Sequence, residues 1–160
     1  CYPISSFGAH VAARPRTSLK TRGNVAMCGT FGYELDPRKL TDDEKAEVKQ
    51  QIADYHKYHR LVREGDFYRL VSPTENDFYC AWEFVSPDKQ EAMMTAVVMR
   101  QPETRYCVQR LRGLDPKTYY QDEETGTVYS GAMLMNAGLN LTRDVYEDGT
   151  SVTKHFKAVK

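Results

Sequence analysis

The stretch TDDEKAEVKQQIADYHKYHRLVREG, residues 41–65, decides how the chain is read. Thr41-Asp42-Asp43-Glu44 spells a capping box, in which the threonine hydroxyl accepts a backbone N–H and the glutamate reaches back to the threonine N–H. Acidic residues crowd the first turn, while Lys57, Arg60 and Arg63 sit towards the end, as the helix dipole favours. Val48, Ile52, Tyr55, His59 and Val62 recur at steps of four and three, which predicts one buried stripe. Gly65 supplies the stop. The pattern predicts a helix over residues 41–64.

Towards the amino end, Thr30-Phe31-Gly32-Tyr33-Glu34-Leu35 reads as a strand closed by Asp36-Pro37. Residues 18–27 read as a shorter helix capped by Thr17 or Ser18, weakened by Gly23. Ile4 to Phe7 reads as a short strand leading into a loop. The order is β-α-β-α, the grammar of a parallel sheet covered by helices. Two such strands are too few, because a parallel sheet is buried on both faces and needs neighbours. Residues 1–65 are therefore expected to be the closing part of a larger α/β domain. The opening Cys1-Tyr2-Pro3, without an initiator Met, fits an excised or processed piece.

Beyond Gly65 the text turns all-β. Strands are predicted at residues 67–71, 78–85, 92–100, 105–111, 118–121 and 127–129, with one helical turn over 132–136. A final hairpin is expected from residues 139–145 and 151–159 through Glu147-Asp148-Gly149. This spacing predicts an antiparallel sandwich over residues 66–160.

Composition narrows the function. Lys+Arg and Asp+Glu number 22 each, so no global field favours nucleic acid. Hydrophobic residues at 41% suffice for a core and argue against disorder. The longest strongly apolar run, Met93 to Met99, falls far short of the roughly 18 residues that a membrane span needs. Cys1, Cys28, Cys80 and Cys107 lie far apart with no C-x-x-C, which predicts reduced structural thiols in a cytoplasmic setting and no zinc site. No cofactor is expected.

Few side chains suggest chemistry. His56 and His59 share a helix face, but no third ligand is fixed by spacing. Glu34 and Asp36 alternate on a strand, and paired carboxylates serve acid/base work; Asp36-Pro37 is equally a turn opener. Ser5 and Ser6 near His10 lack a nucleophile elbow. Phe7, Gly8 and His10, in the loop expected after the first strand, form the substrate-proximal candidate, because loops after strands build the active face of α/β barrels. A plain surface loop is the other reading. Trp82, Tyr119, Tyr120 and Tyr129 would stack on sugars if exposed, or pack a core if not.

Tyr2-Pro3-Ile4-Ser5-Ser6-Phe7-Gly8-Ala9-His10-Val11, Thr21-Arg22-Gly23-Asn24-Val25-Ala26 and Gly29-Thr30-Phe31-Gly32-Tyr33-Glu34-Leu35-Asp36 closely resemble segments of the α-galactosidases of glycoside hydrolase family 36. Gly65-Asp66-Phe67-Tyr68-Arg69-Leu70 and Leu111-Arg112-Gly113-Leu114-Asp115-Pro116 continue the likeness in order. The resemblance implies that residues 1–65 form the last two βα units of a (β/α)8 barrel and residues 66–160 an antiparallel C-terminal β-sandwich. It implies hydrolysis of terminal α-galactosides of the melibiose and raffinose type with retention, one Asp attacking and a second serving as acid and then base. The motifs that carry those acids, Lys-Trp-Asp and Ser-Asp-Asn-Thr-Asp, do not occur here, so no catalytic residue is assigned. The implied partners are the α-galactoside, an upstream catalytic region and further copies of the full enzyme. The sandwich is read as structural support, or as a carbohydrate-binding or oligomerisation module. Phe7 stands where the family usually has Met, and the loop after His10 is shorter than its counterpart, lacking an Asn-His pair.

Overall fold

The long helix α2 (Asp42–Glu64) begins as its sequence dictates. Thr41 Oγ1 accepts from the Glu44 N–H at 3.2 Å and Glu44 Oε2 accepts from the Thr41 N–H at 2.9 Å, a cap worth about 1 kcal/mol. The face it buries keeps part of the expected stripe, with Val62 buried and Val48 and Tyr55 packed on buried clusters, but is shifted towards Gln51. Gln51, Leu61 and Val62 are buried, whereas Ile52 and His59 are exposed. Gln51 is held inside because it accepts the Tyr33 hydroxyl at 2.8 Å and donates to the Leu19 carbonyl at 3.1 Å. Gly23 makes this fit possible: a Cβ there would fall 2.4 Å from Gln51 Cδ. The glycine that weakens α1 (Leu19–Ala26) as a helix thus lets it approach α2.

The structure is a computed structural model, and it describes residues 2–13, 17–75, 78–101, 107–144 and 147–159. At the amino end it corrects the expected strand. Ile4–Ser6 is a single 3-10 turn, closed where the Ser6 N–H and hydroxyl both donate to the Pro3 carbonyl, at 2.9 and 2.8 Å. The strand follows it as β1 (Gly8–Ala12), which pairs in parallel with β2 (Thr30–Glu34). Ala9 and Val11 pack on Leu19 and Ala26 of α1, and Phe31 and Tyr33 join the same cluster. Among the described residues each of the two strands pairs only with the other.

The rest is antiparallel. β3 (Asp66–Val71), β4 (Tyr79–Val85), β5 (Glu91–Val98), β10 (Ser151–Val159), β7 (Tyr119–Asp122) and β8 (Val128–Ser130) form one six-stranded sheet in that order. β6 (Val108–Gln109) and β9 (Leu139–Asn140) make a small second sheet, and α3 (Gly131–Asn136) follows β8. The expected final hairpin does not form: β9 pairs with β6, and β10 lies between β5 and β7. Residues 102–106, part of the predicted 105–111 strand, lie outside the described residues.

The large sheet is covered on both faces. On one, Val85, Met94, Tyr120 and Phe156 meet Leu111, Leu134 and Leu141 from the small sheet and its flanking segments, a sandwich-like core. On the other, α1 crosses β5 and β10, and α2 crosses β4 and β5. Leu61, Val62 and Met27 bury Phe84 and Met93 there, with Trp82 half-buried beside them. Alternation along β4 and β5 sends successive side chains to these two cores.

Candidate functional site

Among the described residues, the parallel strands β1 and β2 leave one face open, the face turned away from the helices. Alternation places Gly8, His10 and Ala12 on it, beside Thr30, Gly32 and Glu34. His10 Nδ1 lies 3.0 Å from Glu34 Oε1, with both side chains about half exposed. A carboxylate only accepts, so the proton of this bond sits on Nδ1. His10 pairs in register with Gly32, where a Cβ would come within 2.9 Å of the imidazole Cδ2; glycine leaves the ring its room. An Arg22 Nη1–H donates to the Ala12 carbonyl and ties α1 to the carboxyl end of β1.

The substrate-proximal candidates are therefore not a loop after a strand. Phe7 and Gly8 stand at the amino end of β1, with Phe7 59% exposed, and His10 lies inside the strand. The error is the one-turn helix at Ile4–Ser6, which moved the strand downstream. Glu34 and Asp36 do not act as a pair either. Glu34 faces His10, while Asp36 takes two bonds from the Arg38 guanidinium at 2.9 and 3.0 Å, and these hold its carboxyl below the usual range. His56 and His59 are both exposed, and the described residues contain no group of three metal-ligating side chains. Of the four aromatic candidates, Tyr120 is fully buried, its hydroxyl donating to the Lys89 carbonyl at 2.8 Å, Trp82 and Tyr129 are half-buried, and Tyr119 alone is exposed. Cys28, Cys80 and Cys107 are free thiols, and burial pushes Cys107 up to about 11.

Comparison with known proteins decides the family. The model for Melibiase matches residues 1–65, and that for the glycosyl hydrolase family 36 C-terminal domain matches residues 79–156. The chain belongs to glycoside hydrolase family 36. Alpha-galactosidase AgaA of Geobacillus stearothermophilus is 49% identical over 147 residues, 88% of this family 36 chain and 20% of that protein. The bifunctional alpha-galactosidase/sucrose kinase AgaSK of Mediterraneibacter gnavus is 44% identical over 147 residues, 88% of the chain and 16% of the relative. The crystal structure of an AgaA variant in complex with raffinose superposes with a TM-score of 0.93 at 45% identity, covering 99% of this chain and 23% of that one. The chain thus spans about a fifth of the length of these relatives.

A second polar centre in this family 36 chain escaped the sequence. His155 on β10, 6% exposed, has Nε2 at 2.6 Å from Glu91 Oε1 and Nδ1 at 2.7 Å from Glu123 Oε2. Glu123 also takes Lys57 of α2 at 2.6 Å and Lys157 of β10 at 2.8 Å, and the Tyr58 ring packs 4.5 Å from the imidazole. Partial burial raises the Glu123 carboxyl, but bonds from Lys157, Lys57 and His155 outweigh it and bring it down to about 2. The bond to Glu123 also holds the Lys57 ammonium above its usual range. The partners of His155 lie 32 and 64 residues away, a separation at which periodicity carries no signal. This centre fastens α2 to the sheet.

Proposed function

We propose that this chain completes the catalytic barrel of a retaining α-galactosidase acting on terminal α-galactosides of the melibiose and raffinose type. Residues 1–65 supply the last two βα units and residues 66–160 an antiparallel support. The observation that carries the reading is the β1–α1–β2–α2 unit, whose parallel pair is packed on its helical side and bare on the other. In a (β/α)8 barrel that bare face is the interior, and the missing neighbours are the other strands. The Melibiase match over the same residues supports it.

On this reading the two carboxylates of the double displacement come from strands outside this sequence. One forms the glycosyl-enzyme bond at the anomeric carbon; the other protonates the leaving oxygen and then takes a proton from water. This chain binds and positions. Glu34 faces the interior at the carboxyl end of β2, the end where barrel active sites lie, and His10 faces it from the middle of β1, whereas Phe7 and Gly8 sit at the opposite end. The centre at Glu123 keeps α2, and with it the barrel wall, seated on the sheet.

The test is a transplant. This chain replaces the corresponding stretch of Geobacillus stearothermophilus AgaA, and raffinose hydrolysis is followed by galactose release. The chimera is expected to keep turnover within about tenfold of the parent, with the α-anomer released first. A soluble, folded chimera without turnover, or one releasing the β-anomer first, overturns the proposal.

A further inference from the structure

A cleft of about 540 Å³ opens where β7 and β10 meet the segment after β9, and the reading above does not use it. One wall is apolar: the half-buried Tyr129 ring with Leu139 and Leu141. The other is polar. Asp122, 2% exposed, accepts from the Glu124 N–H at 2.9 Å and the Thr125 hydroxyl at 3.1 Å. Lys154 lies 3.7 Å from Asp122 and 3.9 Å from Asp144, and donates at 2.6 Å to Glu124, which leans in from solvent. These bonds are spent on the fold.

Other groups in the cleft are unspent. Asn140 uses its Oδ1 to accept the Thr142 N–H at 3.0 Å, but its amide NH2 meets no partner among the described residues. The Arg143 guanidinium likewise meets none, and the Asp144 carboxylate has only the long approach of Lys154. Asp122 and Asp144 oppose Lys154 and Arg143 in the lining, and Glu124 at its rim is already held by Lys154, so charges of both signs interleave and no cluster of one sign is offered to an ion. Planar donors and acceptors spaced around an aromatic wall suit a neutral, hydroxyl-rich ring. An amide, a carboxylate and a guanidinium each bridge neighbouring hydroxyls, while the C–H face of the ring packs on tyrosine.

We propose that this cleft is a saccharide-binding site, with Asn140, Arg143 and Asp144 as its polar contacts and Tyr129 as its packing face. The proposal is independent of whether the chain completes an α-galactosidase, because the sugar is bound here and not cleaved. The test titrates raffinose, and separately inorganic phosphate, into isotope-labelled chain, whose dispersed amide spectrum reports at the same time that it is folded. Raffinose is expected to move the amides of Tyr129 and of residues 139–144 saturably. Asn140→Ala combined with Arg143→Ala is expected to weaken that binding about tenfold while leaving the rest of the spectrum in place, since both side chains are exposed. No saturable shift, shifts unchanged in the double variant, or equal binding of phosphate would each overturn it.

Discussion

Raising the pH from 5 to 8 is expected to cost the folded chain about 4 kcal/mol through one side chain, Glu83. Glu83 lies on β4 with no exposed surface, between Ala81 and Val85 on the face that looks into the sandwich-like core. Its Oε1 accepts the Arg112 N–H, and its Oε2 is buried without a partner. Burial pushes its carboxyl from the ordinary 4.5 up to about 8, against a smaller opposing pull from the Arg112 N–H and charge. The folded state therefore keeps a proton that the unfolded chain releases near 4.5. Stability is full below that value and falls as the pH climbs through about 8. Glu83→Gln keeps the shape and the acceptor without the charge, so it should flatten the decline. Thermal unfolding followed by the fluorescence of Trp82, the one tryptophan of the sequence, reads this as roughly 8–16 °C lost by the parent between pH 5 and 8. An equal loss in the variant would remove Glu83 as the cause.

The opposite sign is expected at Glu123. Its carboxyl is held down at about 2 by Lys157, Lys57 and His155, despite partial burial. The stabilisation is present above the ordinary 4.5 and is lost as the pH falls through about 2. Allowing for solvent screening of a partly exposed group, it amounts to about 2 kcal/mol. Glu123→Gln should cost more than this at neutral pH, about 3 kcal/mol, because Lys57, Lys157 and His155 lose a shared acceptor at once. Trp82 sits in the cluster between α2 and the sheet, so its emission should respond first as α2 loosens. A variant as stable as the parent, with the same acid limb, would show that the centre does not fasten the helix.

How far the sequence carried the fold follows from how local each signal is. The capping box, the α2 boundaries and most strands of the large sheet rest on neighbours within a few residues, and they stand in the structure. The first strand was misplaced because Ile4-Ser5-Ser6-Phe7 has strand-like residue types, whereas the Ser6 bonds to Pro3 close a turn. The buried face of α2 was misread in part, at Ile52 and His59, because its centre is Gln51, a polar residue that is buried only through partners on β2 and α1. The last hairpin failed for a related reason: β10 finds better partners in β5 and β7 than in its sequence neighbour. The candidate site shows the same divide. His10 was singled out, but its bond to Glu34 and its need for Gly32 depend on a parallel register that only the fold supplies. Glu83, and the centre around His155, left no trace in any local pattern.

The central claim is that β1 and β2 are two staves of a barrel whose reactive acids stand on others. Its most direct test is hydrolysis of a chromogenic α-galactoside by this chain alone, and by the chain mixed with a separately expressed segment carrying the remaining barrel strands of AgaA. No turnover by the chain alone, and turnover on mixing, is the predicted result. Turnover by the purified chain alone would contradict it.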